Sequence, residues 1–148
     1  MHQGYCALMA LPLEVDGDRV TDRAGLSLHL RDDARATLEA LRSRGVLLSV
    51  ASRSKPEVAS AILRALGLLD YFVSPCFEWQ DKDVSLRKIL SDLEREHSIR
   101  VGASEVLFID DWPSNVRDAS RVGVQGLVFG REIASLAEVV AFLDARRL

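Results

Sequence analysis

The chain has 148 residues, about the length of one domain, and it is 48% hydrophobic and 28% charged, the balance of a soluble globular protein with a buried core. Nineteen basic and 22 acidic residues leave a net charge of −3, which argues against nucleic acid or an anionic membrane as the main partner, because both attract concentrated positive charge. No apolar run approaches the roughly 20 residues of a membrane-spanning helix, and the N-terminus lacks the order of a signal peptide, so we expect a cytoplasmic protein.

The N-terminal part of the chain contains a predicted β-hairpin. Within residues 14–30, apolar and polar side chains alternate after a turn at residues 21–25. We expect this hairpin, about residues 13–30 in all, to lie as a flap over a site or to form a peripheral edge of the protein.

Beyond residue 30, short apolar runs alternate with amphipathic helices. The predicted strands are bounded by turn residues, as is typical of strands buried in a parallel sheet: Val46–Ala51, Tyr71–Ser74, Val106–Ile109 and Val124–Phe129. The predicted helices carry an apolar face and capping or stop signals: Asp33–Arg44, Ser54–Leu66, Val84–Glu96, Ser114–Arg121 and a last helix that begins at the Ser135–Glu138 capping box. The second of these helices is predicted to begin with a capping box of Ser54 and Glu57 and to bury a stripe of Val58, Ile62, Leu63 and Leu66.

This alternation predicts an α/β fold with a doubly wound, Rossmann-like parallel sheet and helices on both faces. No internal repeat, low-complexity tract or linker interrupts it. We therefore expect one domain of residues 1–148, in which residues 31–148 form the α/β core. No long insertion separates the elements near the site, so no large cap domain is expected.

Polar side chains follow the predicted strands. Ser52 and Arg53 come directly after Val46–Ala51, and Asp110 and Asp111 come directly after the strand in LFIDDWPSN. Lys82 precedes the third predicted helix. Because ligands of open α/β sheets bind beyond the carboxyl ends of the strands, we expect these side chains at one edge of the sheet.

The adjacent carboxylates of Asp110 and Asp111 predict a cation site. Two such charges in a partly buried site repel each other, and the pKa of one rises unless a cation keeps both ionised. Mg²⁺ is suited to this position, because it binds one or two carboxylates together with waters and phosphate oxygens. Lys82 would then neutralise a phosphoryl group, and Ser52 with nearby backbone N–H groups would bind its oxygens. An acidic pair alone often caps the following helix, so the combination of residues carries this prediction.

The order of these motifs resembles that of the haloacid dehalogenase-like (HAD) superfamily, and the similarity is greatest to the magnesium-dependent phosphatase-1 type. It extends from about residue 15 to residue 130. The resemblance implies a Mg²⁺-dependent phosphatase that forms an aspartyl-phosphate, which water then hydrolyses.

Particular residues match the motifs of that family. The resemblance implies that Ser52 and Lys82 bind the phosphoryl group, with Lys82 also steadying the nucleophile. It implies that Asp110 ligates Mg²⁺ and that Asp111 either ligates the ion or orients its waters. The remaining two assignments are less direct: Asn115 stands where the family often has a polar residue near the metal, and Arg53 is either a substrate contact or a solvated surface residue.

The attacking aspartate of the family is not found at a matching position. In the family, an apolar strand ends in Asp-x-Asp-x-Thr or Val, and the first Asp attacks phosphorus. The apolar run Cys6–Val15 has Ala and Pro where the carboxylates belong. Asp16 and Asp18 match Asp-x-Asp-x-Val, but Pro12 precedes them and suits a central strand poorly, so we interpret them as hairpin residues.

Two explanations for the missing aspartate stay open. Either Cys6–Leu11 serves as the central strand and the fold lacks the attacking group, or the strand that carries it precedes Met1 in a longer reading frame.

The sequence therefore leads to two functional hypotheses. The first is a Mg²⁺-dependent phosphomonoester phosphatase of HAD type, acting on a phosphorylated sugar or a phosphoprotein. The alternative is a catalytically inactive HAD-like module that binds metal and phosphate. An unrelated nucleotide-binding domain is disfavoured, because no glycine-rich strand-to-helix loop is present.

Overall fold

The structure, a computed structural model, describes residues 9–146, which divide into two compact units. Unit 1 contains residues 9–32 and 47–79, and unit 2 contains residues 33–46 and 80–146. Residues 6–8 of the candidate strand Cys6–Val15 lie outside the described part of the chain. The single domain expected from the sequence stays a prediction.

The helices occupy the segments that the sequence predicts. Within residues 9–146 they are α1 (Ala34–Ser43), α2 (Pro56–Ala65), α3 (Lys82–His97), α4 (Pro113–Ser120) and α5 (Ala137–Arg146). Pro56 and Pro113 open their helices, where the missing N–H of proline removes no helical hydrogen bond. The capping box predicted to begin at Ser54 is wrong: Lys55 is the N-cap of α2, and the hydroxyl of Ser54 instead accepts a hydrogen bond from Ser52 Oγ at 3.1 Å.

Unit 1 begins with a three-stranded antiparallel sheet. Its strands, in spatial order, are β1 (Glu14–Asp16), β2 (Arg19–Thr21) and β3 (Ser27–His29). The hairpin between β2 and β3 confirms the one predicted from the sequence, and β1 adds a second hairpin. Gly17 lies in the turn of that second hairpin with a φ of +58°, a left-handed backbone value that glycine adopts without strain.

The Asp22 carboxylate holds the turn between β2 and β3. Its Oδ1 accepts hydrogen bonds from the N–H groups of Ala24 at 3.0 Å and Leu26 at 2.7 Å, and its Oδ2 accepts one from Ala10 at 2.9 Å. The hydrogen bond from Ala10, followed by those from the turn, lowers the pKa of Asp22 against the opposing effect of desolvation. The segment before β1 is thereby attached to the hairpin turn.

Unit 1 also contains a pair of parallel strands, β4 (Ala51–Ser52) and β5 (Cys76–Phe77). Both lie further along the chain than predicted, and the predicted Tyr71–Ser74 strand contributes only a single bridge at Phe72. Ser52 is consequently the last residue of β4. Helix α2 and its C-cap residue bury the predicted apolar stripe of Val58, Ile62, Leu63 and Leu66.

Unit 2 is built on a second parallel pair, β6 (Leu107–Asp110) and β7 (Gln125–Val128). Helix α4 packs against both strands, α3 packs against α4, and α1 packs against α5. Gly126 permits the close approach of α4 to β7, because a Cβ at this position would overlap Cγ1 of Val116.

Parallel strand pairs with packed helices confirm the predicted α/β class, and the antiparallel hairpin is present beside them. Across residues 9–146, no helix combines the length and the apolar character needed to cross a bilayer.

Candidate functional site

Asp110 ends strand β6 in unit 2, and its carboxylate is fixed by two donors. Oδ1 accepts a hydrogen bond from the backbone N–H of Trp112 at 2.8 Å, and Oδ2 accepts one from Asn115 Nδ2 at 3.1 Å. Asn115 lies in the first turn of α4 and is only 2% exposed, so its amide is held in place. The structure therefore places Asn115 beside Asp110, while the adjacent Asp111 is exposed.

Opposing effects act on the pKa of Asp110, and the net shift is upward. Burial raises its pKa above the ordinary value, and the charge of Asp111 adds to the rise. The Trp112 N–H, the Asn115 amide and the Lys82 ammonium each oppose this rise. A divalent cation at the pair would favour ionised carboxylates, so the residues present fit the predicted Mg²⁺.

Lys82 is the first residue of α3 and is completely buried, with 0% exposure. This position is unusual, because burial and the positive end of the helix dipole both disfavour a cation there. Its attraction for Asp110 shows that the carboxylate provides part of the compensating charge. A phosphate group at the helix N-terminus would add to it, since exposed N–H groups and the dipole both favour anions there.

Ser52 and Arg53 belong to unit 1. The Ser52 hydroxyl at the end of β4 donates to Ser54 Oγ at 3.1 Å and accepts the Ser54 N–H at 3.2 Å. Ser54 is 5% exposed, so this serine pair is anchored in unit 1. An anion beside Ser52 could accept the hydrogen bond that the hydroxyl now donates to Ser54 Oγ.

One neighbour of Arg53 was not predicted from the sequence. The guanidinium carbon of Arg53 lies 5.9 Å from the ring centroid of Trp79, which is within the range of a cation–π interaction. Trp79 follows β5 by two residues and is 81% exposed. The only sequence signal for this pair is that each residue follows a strand of the same parallel sheet.

A separate acidic cluster lies in unit 2. Carboxylate oxygens of Asp81, Asp83 and Asp118 lie within 4.8 Å of one another, the only such group of three found in residues 9–146. Arg87 pairs with Asp83 at 3.4 Å and Arg121 pairs with Asp118 at 3.3 Å. These arginines balance part of the charge of the cluster.

The sequence profile of the family described as Acid Phosphatase matches residues 5–135. The chain belongs to this acid phosphatase family. The HAD resemblance inferred from the motif order is confirmed with it, because the solved structures that share the fold include a HAD phosphatase and a HAD-superfamily hydrolase. No curated protein matches the sequence of this family member closely enough to serve as a relative.

Solved structures extend the comparison from sequence to fold. A HAD phosphatase from Thermococcus onnurineus is 26% identical with a TM-score of 0.66, over 81% of this chain and 60% of that one. A HAD-superfamily hydrolase from Ehrlichia chaffeensis is 17% identical with a TM-score of 0.67, over 86% of this chain and 62% of that one. This acid phosphatase family member thus has a HAD phosphatase-like fold and spans about 60% of the length of these two structures.

Proposed function

We propose that this chain binds Mg²⁺ at Asp110 and Asp111 and acts as a phosphomonoester phosphatase of HAD type. When bound, Mg²⁺ would supply positive charge to the oxygens of the phosphoryl group. The Lys82 ammonium would neutralise a further oxygen, and Asn115 would keep the Asp110 carboxylate in its orientation. Asp111 would ligate the ion or orient its waters.

By the motif order of the family, Ser52 would bind an oxygen of this phosphoryl group. The Ser52 hydroxyl would donate its hydrogen bond to a phosphoryl oxygen instead of to Ser54 Oγ. Arg53 would add a charged donor whose planar shape suits a phosphate.

The burial of Lys82 is the observation that carries this proposal. A fully buried ammonium at a helix N-terminus opposes both desolvation and the helix dipole, so packing alone does not explain it. Its attraction for the metal-binding candidate Asp110 supports a role in charge balance at a phosphate site.

A non-catalytic module that binds metal and phosphate is the second candidate. It is kept because Asp16, which matches the first Asp of Asp-x-Asp-x-Val by sequence, ends β1. All three residues of β1 are exposed, and Asp16 pairs with Arg19 in an antiparallel hairpin. The family's attacking aspartate ends an apolar strand instead, so we do not assign Asp16 as the nucleophile.

A binding experiment tests the site independently of turnover. Calorimetric titration with Mg²⁺ and then with inorganic phosphate should show both ligands binding to the full chain. Asp110→Asn should abolish Mg²⁺ binding, whereas Asp118→Asn, which alters the separate acidic cluster, should leave it intact. Loss of Mg²⁺ binding only in Asp118→Asn would contradict the metal assignment.

The phosphate site has its own matched pair of variants. Lys82→Met should weaken phosphate binding severely, while Lys88→Met should not, because Lys88 lies on the same helix but pairs with Asp92 at the surface. Mg²⁺-dependent hydrolysis of p-nitrophenyl phosphate then separates the two candidates. Binding without hydrolysis would establish the non-catalytic module, and hydrolysis that survives Asp16→Asn would exclude Asp16 as the nucleophile.

The natural substrate class and the location of the protein are further proposals. A phosphorylated sugar or a phosphoprotein is consistent with the phosphatase family, and the cytoplasm is the compartment expected from the sequence.

A further inference from the structure

The start of helix α3, which carries Lys82, is not held by the side chain of its N-cap residue. Asp81 is that N-cap, yet within residues 9–146 its carboxylate makes no capping hydrogen bond to the helix. A capping bond normally satisfies an exposed N–H group and stabilises the first turn. The first turn of α3 therefore depends on another interaction.

A hydrogen bond across the helix start provides this interaction. Gln80 precedes the N-cap, and its side-chain Nε2 donates to the hydroxyl of Ser85 at 3.1 Å. The backbone N–H of Ser85 donates to the Asp81 carbonyl, also at 3.1 Å, which closes the first helical turn. The side-chain bond thus ties the residue before the helix to the end of its first turn.

Ser85 lies on the same face of α3 as Lys82, because residues three apart in a helix are neighbours on its surface. Both side chains are buried, since Ser85 is 1% exposed and Lys82 is 0% exposed. A buried hydroxyl needs a hydrogen-bond partner, whereas an alanine at this position would need none. Packing alone therefore does not favour a serine here.

Lys82 is the side chain that the bond between Gln80 and Ser85 restrains. Desolvation disfavours a buried ammonium, and the long flexible stem of a lysine allows the charge to return to water. Fraying of the first turn of α3 would permit this movement and separate the ammonium from Asp110, whose pKa it lowers. A buried hydrogen bond at the helix start opposes such fraying.

We propose that Gln80 and Ser85 are positioning residues of the phosphate site, whose hydrogen bond fixes the start of α3 and so holds the Lys82 ammonium where it meets the phosphoryl group. This inference rests on the proposed phosphate site and adds two residues to it. Neither residue touches the phosphate; both act through Lys82.

A double variant separates positioning from stability. Ser85→Ala and Gln80→Met each leave one polar partner behind, whereas the double variant removes both and leaves no orphaned hydroxyl or amide. The melting temperature should therefore fall in the single variants and return close to the wild-type value in the double variant. Phosphate affinity, measured by calorimetry on the full chain with saturating Mg²⁺, should stay roughly 2- to 13-fold weaker in all three, the range expected for one hydrogen bond.

Acetylation with acetic anhydride, followed by mass spectrometry, reports directly on the position of the Lys82 amine. In the unsubstituted chain Lys82 should react more slowly than Lys88, which lies at the surface, because a buried amine reacts only when the structure opens locally. The double variant should acetylate Lys82 roughly 2- to 13-fold faster, since the same hydrogen bond opposes the opening. The rates at Lys55 and Lys88 should not change.

Ser91→Ala is the matched control, because Ser91 is an exposed serine on the same helix. It should change neither phosphate affinity nor Lys82 acetylation. A double variant with wild-type phosphate affinity, or with an unchanged acetylation rate at Lys82, would overturn the inference. Phosphate affinity that falls in the single variants and recovers together with the melting temperature would show a purely structural role and would also overturn it.

The outcomes also separate this inference from the proposed function. Phosphate binding that Lys82→Met weakens but the double variant leaves unchanged would refute the role of Gln80 and Ser85 and leave the phosphate site intact. No phosphate binding to the unsubstituted chain, or binding that is unaffected by Lys82→Met, would refute both proposals.

Discussion

Gly126 provides a test of how closely helix α4 must approach the sheet for the site to form. In Gly126→Ala, the new Cβ would overlap Cγ1 of Val116 and lie 3.5 Å from the carbonyl oxygen of Phe108. Either α4 moves or side chains leave their preferred rotamers, and such overpacking costs about 1–3 kcal/mol. We therefore expect Gly126→Ala to lower the free energy of unfolding by this amount and the melting temperature by about 2–12 °C.

A second substitution identifies the cause. Val116→Ala removes the methyl group that would collide, at a cost of about 1 kcal/mol because the side chain is half-buried. If the collision is the reason for the loss, the double variant should be about as stable as Val116→Ala alone. The coupling between the two positions would then be about 1–3 kcal/mol, within the range known for residues in contact.

The assay is urea unfolding followed by circular dichroism, with the slope of the transition used to check that the unfolded state is unchanged. Gly102→Ala is the matched control, because a Cβ there meets Glu105 Oε2 at an ordinary 3.6 Å, and its effect should stay within about 0.5 kcal/mol. Strictly additive effects of Gly126→Ala and Val116→Ala would refute this reasoning. A functional consequence should follow: since α4 carries Asn115, Gly126→Ala should also weaken Mg²⁺ binding, and the double variant should recover it.

Two further predictions concern ionisation. Burial and the charge of Asp111 raise the pKa of Asp110, so the affinity for Mg²⁺ should increase with pH until that carboxyl is ionised. Asn115→Ala removes a hydrogen-bond donor that lowers this pKa, so its Mg²⁺ affinity should reach a plateau at a higher pH; identical calorimetric profiles of Mg²⁺ affinity against pH for wild type and Asn115→Ala would contradict this assignment. Without metal, the native state holds the Asp110 proton more tightly than the unfolded state, so the contribution of Asp110 to stability should decrease as pH rises from the unfolded pKa through the folded one. The pKa of Asp22 is lowered, so its contribution to stability is present above the unfolded pKa and is lost as pH falls through the folded pKa. Asp22→Asn should therefore destabilise the protein at neutral pH. If urea unfolding shows the same loss of unfolding free energy at low pH, the charge of Asp22 is not the cause.

The local sequence pattern was sufficient to predict the helices and the strand that Asp110 ends. Val58, Ile62 and Leu63 recur at helical spacing, and all three are buried on α2. Asp110 was predicted to follow the strand Val106–Ile109 directly, and in the structure it is the last residue of β6. This position was within one residue because an apolar run followed by a carboxylate is visible in a few neighbouring residues. These features are visible in a short stretch of sequence, because the spacing of apolar side chains along a helix or strand follows the repeat of its backbone.

Strand limits could not be predicted in the same way. A run such as Val46–Ala51 is apolar enough to be a strand, yet the continuous ladder is confined to Ala51–Ser52 and Cys76–Phe77. Hydrogen bonds with another strand decide where a strand begins and ends, and that partner lies more than 20 residues away in the chain. The capping box at Ser54 failed for a related reason, since its hydroxyl bonds to Ser52 instead.

The sequence by itself determined the α/β class, the order of the motifs and the residue types available for phosphate and metal chemistry. Only the tertiary structure decided that Lys82 is fully buried, that Asn115 holds Asp110, and that Arg53 lies over an exposed Trp79. The physical reason is that periodicity is a property of neighbouring residues, whereas burial, charge compensation and ring contacts arise between side chains that the chain brings together only after it folds.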